Sequence, residues 1–341
     1  MGADLRATAE EIVANDRGIL AADESTGTIK KRFDSIDVES TEESRRAYRD
    51  MLFTTPGLGD FISGVILYDE TIRQSSADGT AFPELLTRNG MIPGIKVDKG
   101  AVPLAFSPDE KVTEGLDGLR ERLEEYVRLG ARFTKWRAVI TIGDGIPTDY
   151  CLRVNAHALG RYAALSQEAG LVPIVEPEVL MDADNSIERC YDVTVETLHL
   201  VFDELHHQRV KLDEMLLKPN MVISGKGAAE QASAERVAEL TLEAFHETVP
   251  SAVPGIVFLS GGQSDEQASE NLNAINAHGP QPWKLSYSYG RALQAPALKA
   301  WRGEAANVEA GQQALVHRAR LNSAAAGGRY TAEMEELARA T

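Results

Sequence analysis

Met215-Leu216-Leu217-Lys218-Pro219-Asn220 runs three apolar residues into a lysine and then a proline. Such a run reads as a buried strand ending on a cation, because proline cannot donate to the next rung of a ladder. Burial disfavours an ammonium, and a neutral amine is the nucleophile that adds to a carbonyl to form a Schiff base. Taken alone, the stretch leaves a second reading open, a strand-end lysine whose head snorkels to solvent. The rest of the chain decides between them.

Seven other short apolar runs end in polar residues. They are Gly18 to Asp23, Gly64 to Asp69, Ile92 to Asp98, Arg132 to Arg137, Leu171 to Glu176, Gly255 to Ser260 and Trp283 to Ser288. Between them lie stretches with helical apolar spacing, as in Leu116 to Tyr126 and Ala229 to Phe245. Strands alternating with helices imply a parallel sheet. Eight such units in an α/β chain of 341 residues predict a (β/α)8 barrel, whose functional groups sit at the C-terminal ends of different strands. A doubly wound open sheet shows the same alternation and stays open at this point. No low-complexity linker or internal repeat divides the chain, so a single domain over residues 1–341 is expected. A loosely held tail should begin near Ala324, where small residues and glycines precede a short acidic helix.

The strand ends carry pairs spaced by two: Asp23 and Ser25, Lys96 and Asp98, Lys135 and Arg137, Glu176 and Glu178. That spacing turns both side chains of a pair to one face. If Lys135 and Arg137 face Lys218 across a barrel mouth, those cations favour the neutral amine of Lys218; three separate surface cations would show the same spacing. Glu176 and Asp23 are placed to carry the protons that carbinolamine chemistry needs. Asp23 could equally cap the helix that follows it, and Glu176 could be a plain salt-bridge partner.

Ser260-Gly261-Gly262-Gln263-Ser264 follows the seventh run and Ser288-Tyr289-Gly290-Arg291 follows the eighth. Glycines let backbone N–H groups approach an anion, and these two loops are the usual phosphate site of the barrel. Arg291 adds a bidentate charge. A lone Ser-Gly-Gly is more often a turn, and the pairing with Arg291 gives the signal its weight.

The composition sets outer limits. Apolar residues make up 43% of the chain, enough for a large core, and the net charge is −17. That charge argues against nucleic acid or an anionic membrane as partner. The acidic stretches Glu39 to Glu43, Glu121 to Glu125 and Glu333 to Glu336 read as solvated helix faces. Cys151 and Cys190 are the only cysteines, so no disulfide framework is expected and a reducing compartment fits. With no secretory signal and no apolar run of spanning length, a cytoplasmic protein is expected. The seven histidines lack the spacing of a metal site, and Gly143-Asp144-Gly145 and Gly225-Lys226-Gly227 lack a dinucleotide fingerprint. No metal and no cofactor are expected.

Seven blocks resemble the class I fructose-bisphosphate aldolases: Gly18 to Gly27, Gly94 to Gly100, Lys135 to Arg137, Val172 to Glu178, Leu216 to Val222, Phe258 to Ser264 and Ser288 to Gln294. They occur in order, each at an expected strand end, over nearly the whole chain. The resemblance implies a TIM-barrel lyase that cleaves fructose 1,6-bisphosphate reversibly to dihydroxyacetone phosphate and glyceraldehyde 3-phosphate in glycolysis and gluconeogenesis. It implies Lys218 as the Schiff-base lysine, Glu176 as the acid and base of carbinolamine dehydration, Asp23 as acceptor of the C4 hydroxyl proton, and Lys135 as their electrostatic support. Ser260, Gly261, Gly262, Ser288, Gly290 and Arg291 would hold the C1 phosphate. Ser25, Thr28, Arg32, Lys96 and Arg137 would meet the C6 phosphate, and Arg45 is a further substrate-contact candidate. The family commonly forms tetramers, so a homotetramer is expected, with phosphorylated ketoses and trioses as its small-molecule partners.

Two departures stand out. Animal members end in a tyrosine that reaches the active site, whereas the last tyrosine here is Tyr330; and Thr28 stands where the family often has serine. A transaldolase-type Schiff-base barrel would lack Lys96 with Arg137, or Arg291, and a catalytically silent sugar-phosphate scaffold would have lost the lysine or its acids. All of these residues are present.

Overall fold

The computed structural model describes residues 4–336. Its strands are β1 (Gly18–Ala21), β2 (Ile62–Leu67), β3 (Ile92–Lys96), β4 (Gly100–Leu104), β5 (Ser107–Glu114), β6 (Phe133–Ile140), β7 (Val172–Val179), β8 (Leu216–Leu217), β9 (Gly255–Phe258) and β10 (Lys284–Tyr289). Eight of them close into a parallel barrel in the order β1-β10-β9-β8-β7-β6-β3-β2, with helices between successive strands. All eight expected runs therefore become barrel strands, and the open sheet is ruled out. β4 and β5 form an antiparallel hairpin inserted between β3 and β6, which the sequence reading did not anticipate.

The helices start where the sequence supplies an oxygen to accept their first free N–H groups. Ser25, Thr148, Ser186, Ser233 and Ser264 each cap a helix by accepting from the backbone three residues on. Thr41 and Ser44 form a reciprocal capping box ahead of Glu42–Phe53.

The barrel interior is a separate apolar cluster that includes Ile19, Ala21, Ile66, Ile92, Phe133, Val172, Ile174, Leu216 and Val257. Leu5, Ala9, Ile12 and Val13 join it, so the helix Leu5–Ile12 plugs the N-terminal end. Room for the Phe133 ring comes from glycine: a Cβ on Gly94 would lie 2.2 Å from it. Interior side chains recur every second residue along a strand. Going up the barrel, Phe133 is thus followed by Lys135, Ile174 by Glu176, Leu216 by Lys218 and Ala21 by Asp23. The apolar filling ends and charge begins at the C-terminal mouth.

The tail expected from Ala324 divides into parts. Residues 324–326 complete the helix Val308–Ala326, with Ala325 and Ala326 buried, which corrects the start of the tail. Beyond it, Tyr330 is 9% exposed; its N–H donates to Asn273 Oδ1 and its hydroxyl to Glu335. Arg318 is bonded to Glu335 at 2.6 Å, so that glutamate is an anchor, unlike the solvated face expected for Glu333 to Glu336. Residues 337–341 lie outside the described residues.

Candidate active site

Four charged side chains, on or just beyond four different strands, form a continuous row at the mouth. Lys135 Nζ lies 2.7 Å from Asp23 Oδ2 and 3.2 Å from Glu176 Oε2, and Lys218 Nζ lies 3.0 Å from Glu176 Oε1. Sign alternates along the row, which is what allows four charges to be buried together. Register explains the approach: Ile174 pairs with Leu216 between β7 and β8, and the Lys218 N–H continues the ladder by donating to Val175 O at 2.8 Å. The strand itself is only Leu216–Leu217, two residues long.

Burial pushes Asp23 toward its neutral form, but the Coulomb pull of Lys135 and Lys218 and the hydrogen bond from Lys135 win, holding its carboxyl well below the usual range. Glu176 follows the same pattern: burial raises its pKa, and Lys135, Lys218 and Arg137 together lower it further than burial raises it. Burial lowers Lys135, and Asp23, Glu176 and Asp98 raise it above the ordinary lysine value. Asp23 and Glu176 are thus carboxylates and Lys135 an ammonium near neutral pH.

This arrangement corrects one sequence expectation. Lys135 and Arg137 do not press on Lys218 as bare neighbouring cations. Lys218 touches the Glu176 carboxylate, and Arg137 is bonded through Nε to Glu178. The alternative reading of Asp23 as a helix cap also falls, since Ser25 caps Thr26–Asp34 and Asp23 pairs with Lys135.

The row floors a cavity of about 710 Å³ whose lining includes Asp23, Lys135, Glu176 and Lys218, together with Ser25, Thr28, Arg32, Lys96, Arg137, Ser260, Gly261, Ser288, Gly290 and Arg291. Lys96 is bonded to the Asp98 carboxylate and, at 2.8 Å, to its carbonyl. Ser288 Oγ is buried without a hydrogen-bond partner, an orphaned donor beside the cavity. Gly261 adopts φ +56°, a left-handed turn that glycine accommodates without strain. The helix Arg291–Trp301 begins at Gly290, so an N-terminus opens at the same place.

Two expected contacts are not brought here. Gly262 N–H donates to Met181 Sδ at 3.0 Å and lies outside the lining. Arg45 forms a two-pronged bond to Glu70, at 2.7 and 2.6 Å, and is likewise absent from the lining. Arg32, expected on the C6 side, borders the other loop: its Nη2 lies 3.6 Å from where a Cβ on Gly290 would sit. Tyr330 does not line the cavity either.

Sequence reasoning missed Glu24, Arg49 and Gln294. Glu24 lines the cavity and is bonded to both Arg32 and Arg49, while Gln294 Nε2 donates to it at 2.8 Å and to Ala21 O at 2.7 Å. No spacing rule links positions 24, 49 and 294. The only signal was Glu24 itself, an acid inside the Gly18 to Gly27 block. A larger cavity of about 810 Å³ lies around the barrel's other end, lined by Val13, Pro254 and Trp283. Of its cations, Arg6 is paired with Glu10 and Arg329 with Asp16, Lys284 stands at the start of β10, and the lining holds no counterpart of the buried charge row.

Comparison with known proteins fits this geometry. The family model described as "Fructose-bisphosphate aldolase class-I" matches residues 4–341. A "Probable fructose-bisphosphate aldolase class 1" of Xanthomonas campestris pv. campestris is 58% identical over 96% of this chain and 98% of its own. "Fructose-bisphosphate aldolase 1" of Toxoplasma gondii is 53% identical over 96% of this chain and 91% of its own. Among solved structures, the fructose-bisphosphate aldolase of Plasmodium falciparum, determined in complex with TRAP and a small-molecule inhibitor, superposes with a TM-score of 0.95. It is 51% identical and the match covers 96% of this chain and 95% of that one. The chain therefore belongs to the class I fructose-bisphosphate aldolase family.

Proposed function

We propose that, in the reversible cleavage of fructose 1,6-bisphosphate, Lys218 forms the Schiff base and Glu176 moves the protons that make and unmake it. The observation that carries this reading is the 3.0 Å contact between Lys218 Nζ and the ionised Glu176 carboxylate. Glu176 takes a proton from Lys218, and the free amine adds to the C2 ketone. The resulting carbinolamine loses its hydroxyl as water when Glu176 returns the proton, leaving an iminium. Asp23, kept anionic by Lys135, accepts the C4 hydroxyl proton; the C3–C4 bond breaks, its electron pair flows into the iminium, and glyceraldehyde 3-phosphate leaves. Asp23 returns the proton it accepted to C3 of the enamine, and addition of water to the resulting iminium releases dihydroxyacetone phosphate and regenerates Lys218 and the Asp23 carboxylate.

The phosphates meet two groups of residues. Ser260, Gly261, Ser288, Gly290 and Arg291 hold the C1 phosphate, where the orphaned Ser288 hydroxyl gains a partner. Ser25, Thr28, Lys96 and Arg137 face the C6 phosphate, with Arg32 between the groups. The family likeness supports a place in glycolysis and gluconeogenesis and assembly as a homotetramer. Two free cysteines, both buried, support a reducing cytoplasmic compartment. Light scattering on the purified protein tests the tetramer.

Replacing Lys218 with alanine tests the chemical reading. Cleavage measured by coupled triose-phosphate assay should fall at least ~10⁴-fold while the circular dichroism spectrum is unchanged. Turnover within ~10-fold of wild type would remove Lys218 from the mechanism.

A further inference from the structure

Cations at the barrel mouth are mostly cancelled by acids. Lys96 is paired with Asp98, Arg137 with Glu178, and Lys135 and Lys218 with Asp23 and Glu176. Surplus positive charge in the lining comes from Arg291 and Lys99, from Arg122, which is bonded to the backbone carbonyls of Val97 and Gly115, and from a largely buried triad in which one carboxylate, Glu24, serves two guanidiniums, Arg32 and Arg49. The two arginines differ in access. Arg32 has 21% of its side chain exposed and reaches Gly290 at the cavity; the Arg49 side chain is 3% exposed and is not part of the lining. Arg49 is locked in place: Nη1 donates to Gln294 Oε1 at 3.5 Å, Tyr48 donates to the same oxygen at 3.1 Å, and the Tyr48 ring lies 5.5 Å from the guanidinium.

We propose that Arg49 is a positioning residue that sets the affinity for sugar phosphate from behind the site: by neutralising Glu24 it leaves the charge of Arg32 free for a substrate phosphate. Without Arg49 the Glu24 carboxylate cancels Arg32, and the triad offers a phosphate no net charge. With Arg49 the net charge is +1, delivered through the one guanidinium that substrate can reach. Gln294 ties this device to the backbone at Ala21, two residues before Asp23. The inference rests on Arg32 being a phosphate ligand.

Four variants and one control test it. Arg49→Met should raise KM for fructose 1,6-bisphosphate about tenfold with kcat within about twofold, because binding is lost and the reacting groups are untouched. Glu24→Gln should leave KM at or below the wild-type value. The double variant Glu24→Gln with Arg49→Met restores a net charge of +1 and should return KM to within about threefold of wild type. Arg49→Lys keeps the charge and should stay near wild type. A purely packing role for Arg49 predicts the reverse, a double variant at least as impaired as Arg49→Met, and that result overturns the inference, as does a loss confined to kcat. If Arg49→Met does not fold, Glu24→Gln decides: a rise in KM contradicts the charge account. Arg32→Met is the control. If it leaves KM unchanged, the phosphate reading fails and the inference with it; if it raises KM while Arg49→Met does not, the inference alone fails.

Discussion

Lys135 touches both carboxylates to which we assign proton transfer, so the protonation state of the whole row passes through it. This makes a testable link between pH and stability. Asp23 and Glu176 have pKa values depressed from 3.8 and 4.5, so their stabilising contribution is present above those values and is lost as pH falls through the depressed ones. Lys135 is raised above 10.5; its contribution is present below that value and is lost as pH rises through the raised one. Replacing Asp23 with asparagine should therefore lower Tm by a constant amount across neutral pH, and the gap to wild type should shrink as the buffer is taken below 3.8. Thermal melts across pH would show this. A gap that widens in acid would contradict the assigned ion pair. At this scale Lys218, Glu176, Asp23 and Lys135, which the sequence singled out, come together in one row because each stands above the apolar filling of an interior column. The sequence reading misjudged which charge lies beside Lys218, since lateral neighbours depend on barrel register, and no run of residues displays register.

The strand columns were readable as elements because apolar, often β-branched runs stop abruptly at a charge. What escaped notice had weaker patterns. β4 (Gly100-Ala101-Val102-Pro103-Leu104) is apolar but short and carries a proline, β5 is polar, both are mostly half-buried or exposed, and the helix Leu5–Ile12 has a polar sequence whose Leu5, Ala9 and Ile12 nevertheless plug the barrel. β6 and β7 run past their first charged residues, to Ile140 and Val179, which is why Arg137 and Glu178 stand one step above the buried row. Glycine is what lets these columns pack. Gly94→Ala would push a methyl to 2.2 Å from the Phe133 ring and should cost about 1–3 kcal/mol. Gly27→Ala, in the helix Thr26–Asp34 with no atom within 4 Å of the new methyl, should be neutral or stabilising by up to about 1 kcal/mol. Denaturant melts of the two variants distinguish these outcomes; equal effects would contradict the packing account.

For the molecule as a whole, a net charge of −17 surrounds a mouth that must receive a doubly phosphorylated sugar. Most of the cations there are spent in pairs, and the binding proposed above draws on local surplus rather than overall charge. Composition could show the acidic excess but not this local surplus, which depends on who pairs with whom. Fold class and family were legible because seven blocks lie in order along one barrel. The Glu24 triad was not, because its members come together only when the barrel closes. Among the described residues no group of three or more His, Cys, Asp or Glu side chains is arranged to hold a metal, and the electron sink assigned here is an iminium. Dialysis against ~10 mM EDTA should therefore leave kcat unchanged within error; a loss that added divalent metal restores would contradict this route.

The central claim is that Lys218 is the amine that captures the substrate carbonyl. Borohydride reduction in the presence of dihydroxyacetone phosphate, followed by peptide mapping, reads it directly. The account predicts a single stable adduct on the peptide that contains Lys218, formed together with loss of activity. An adduct on Lys135 or Lys96 instead, or activity lost with Lys218 unmodified, would contradict it.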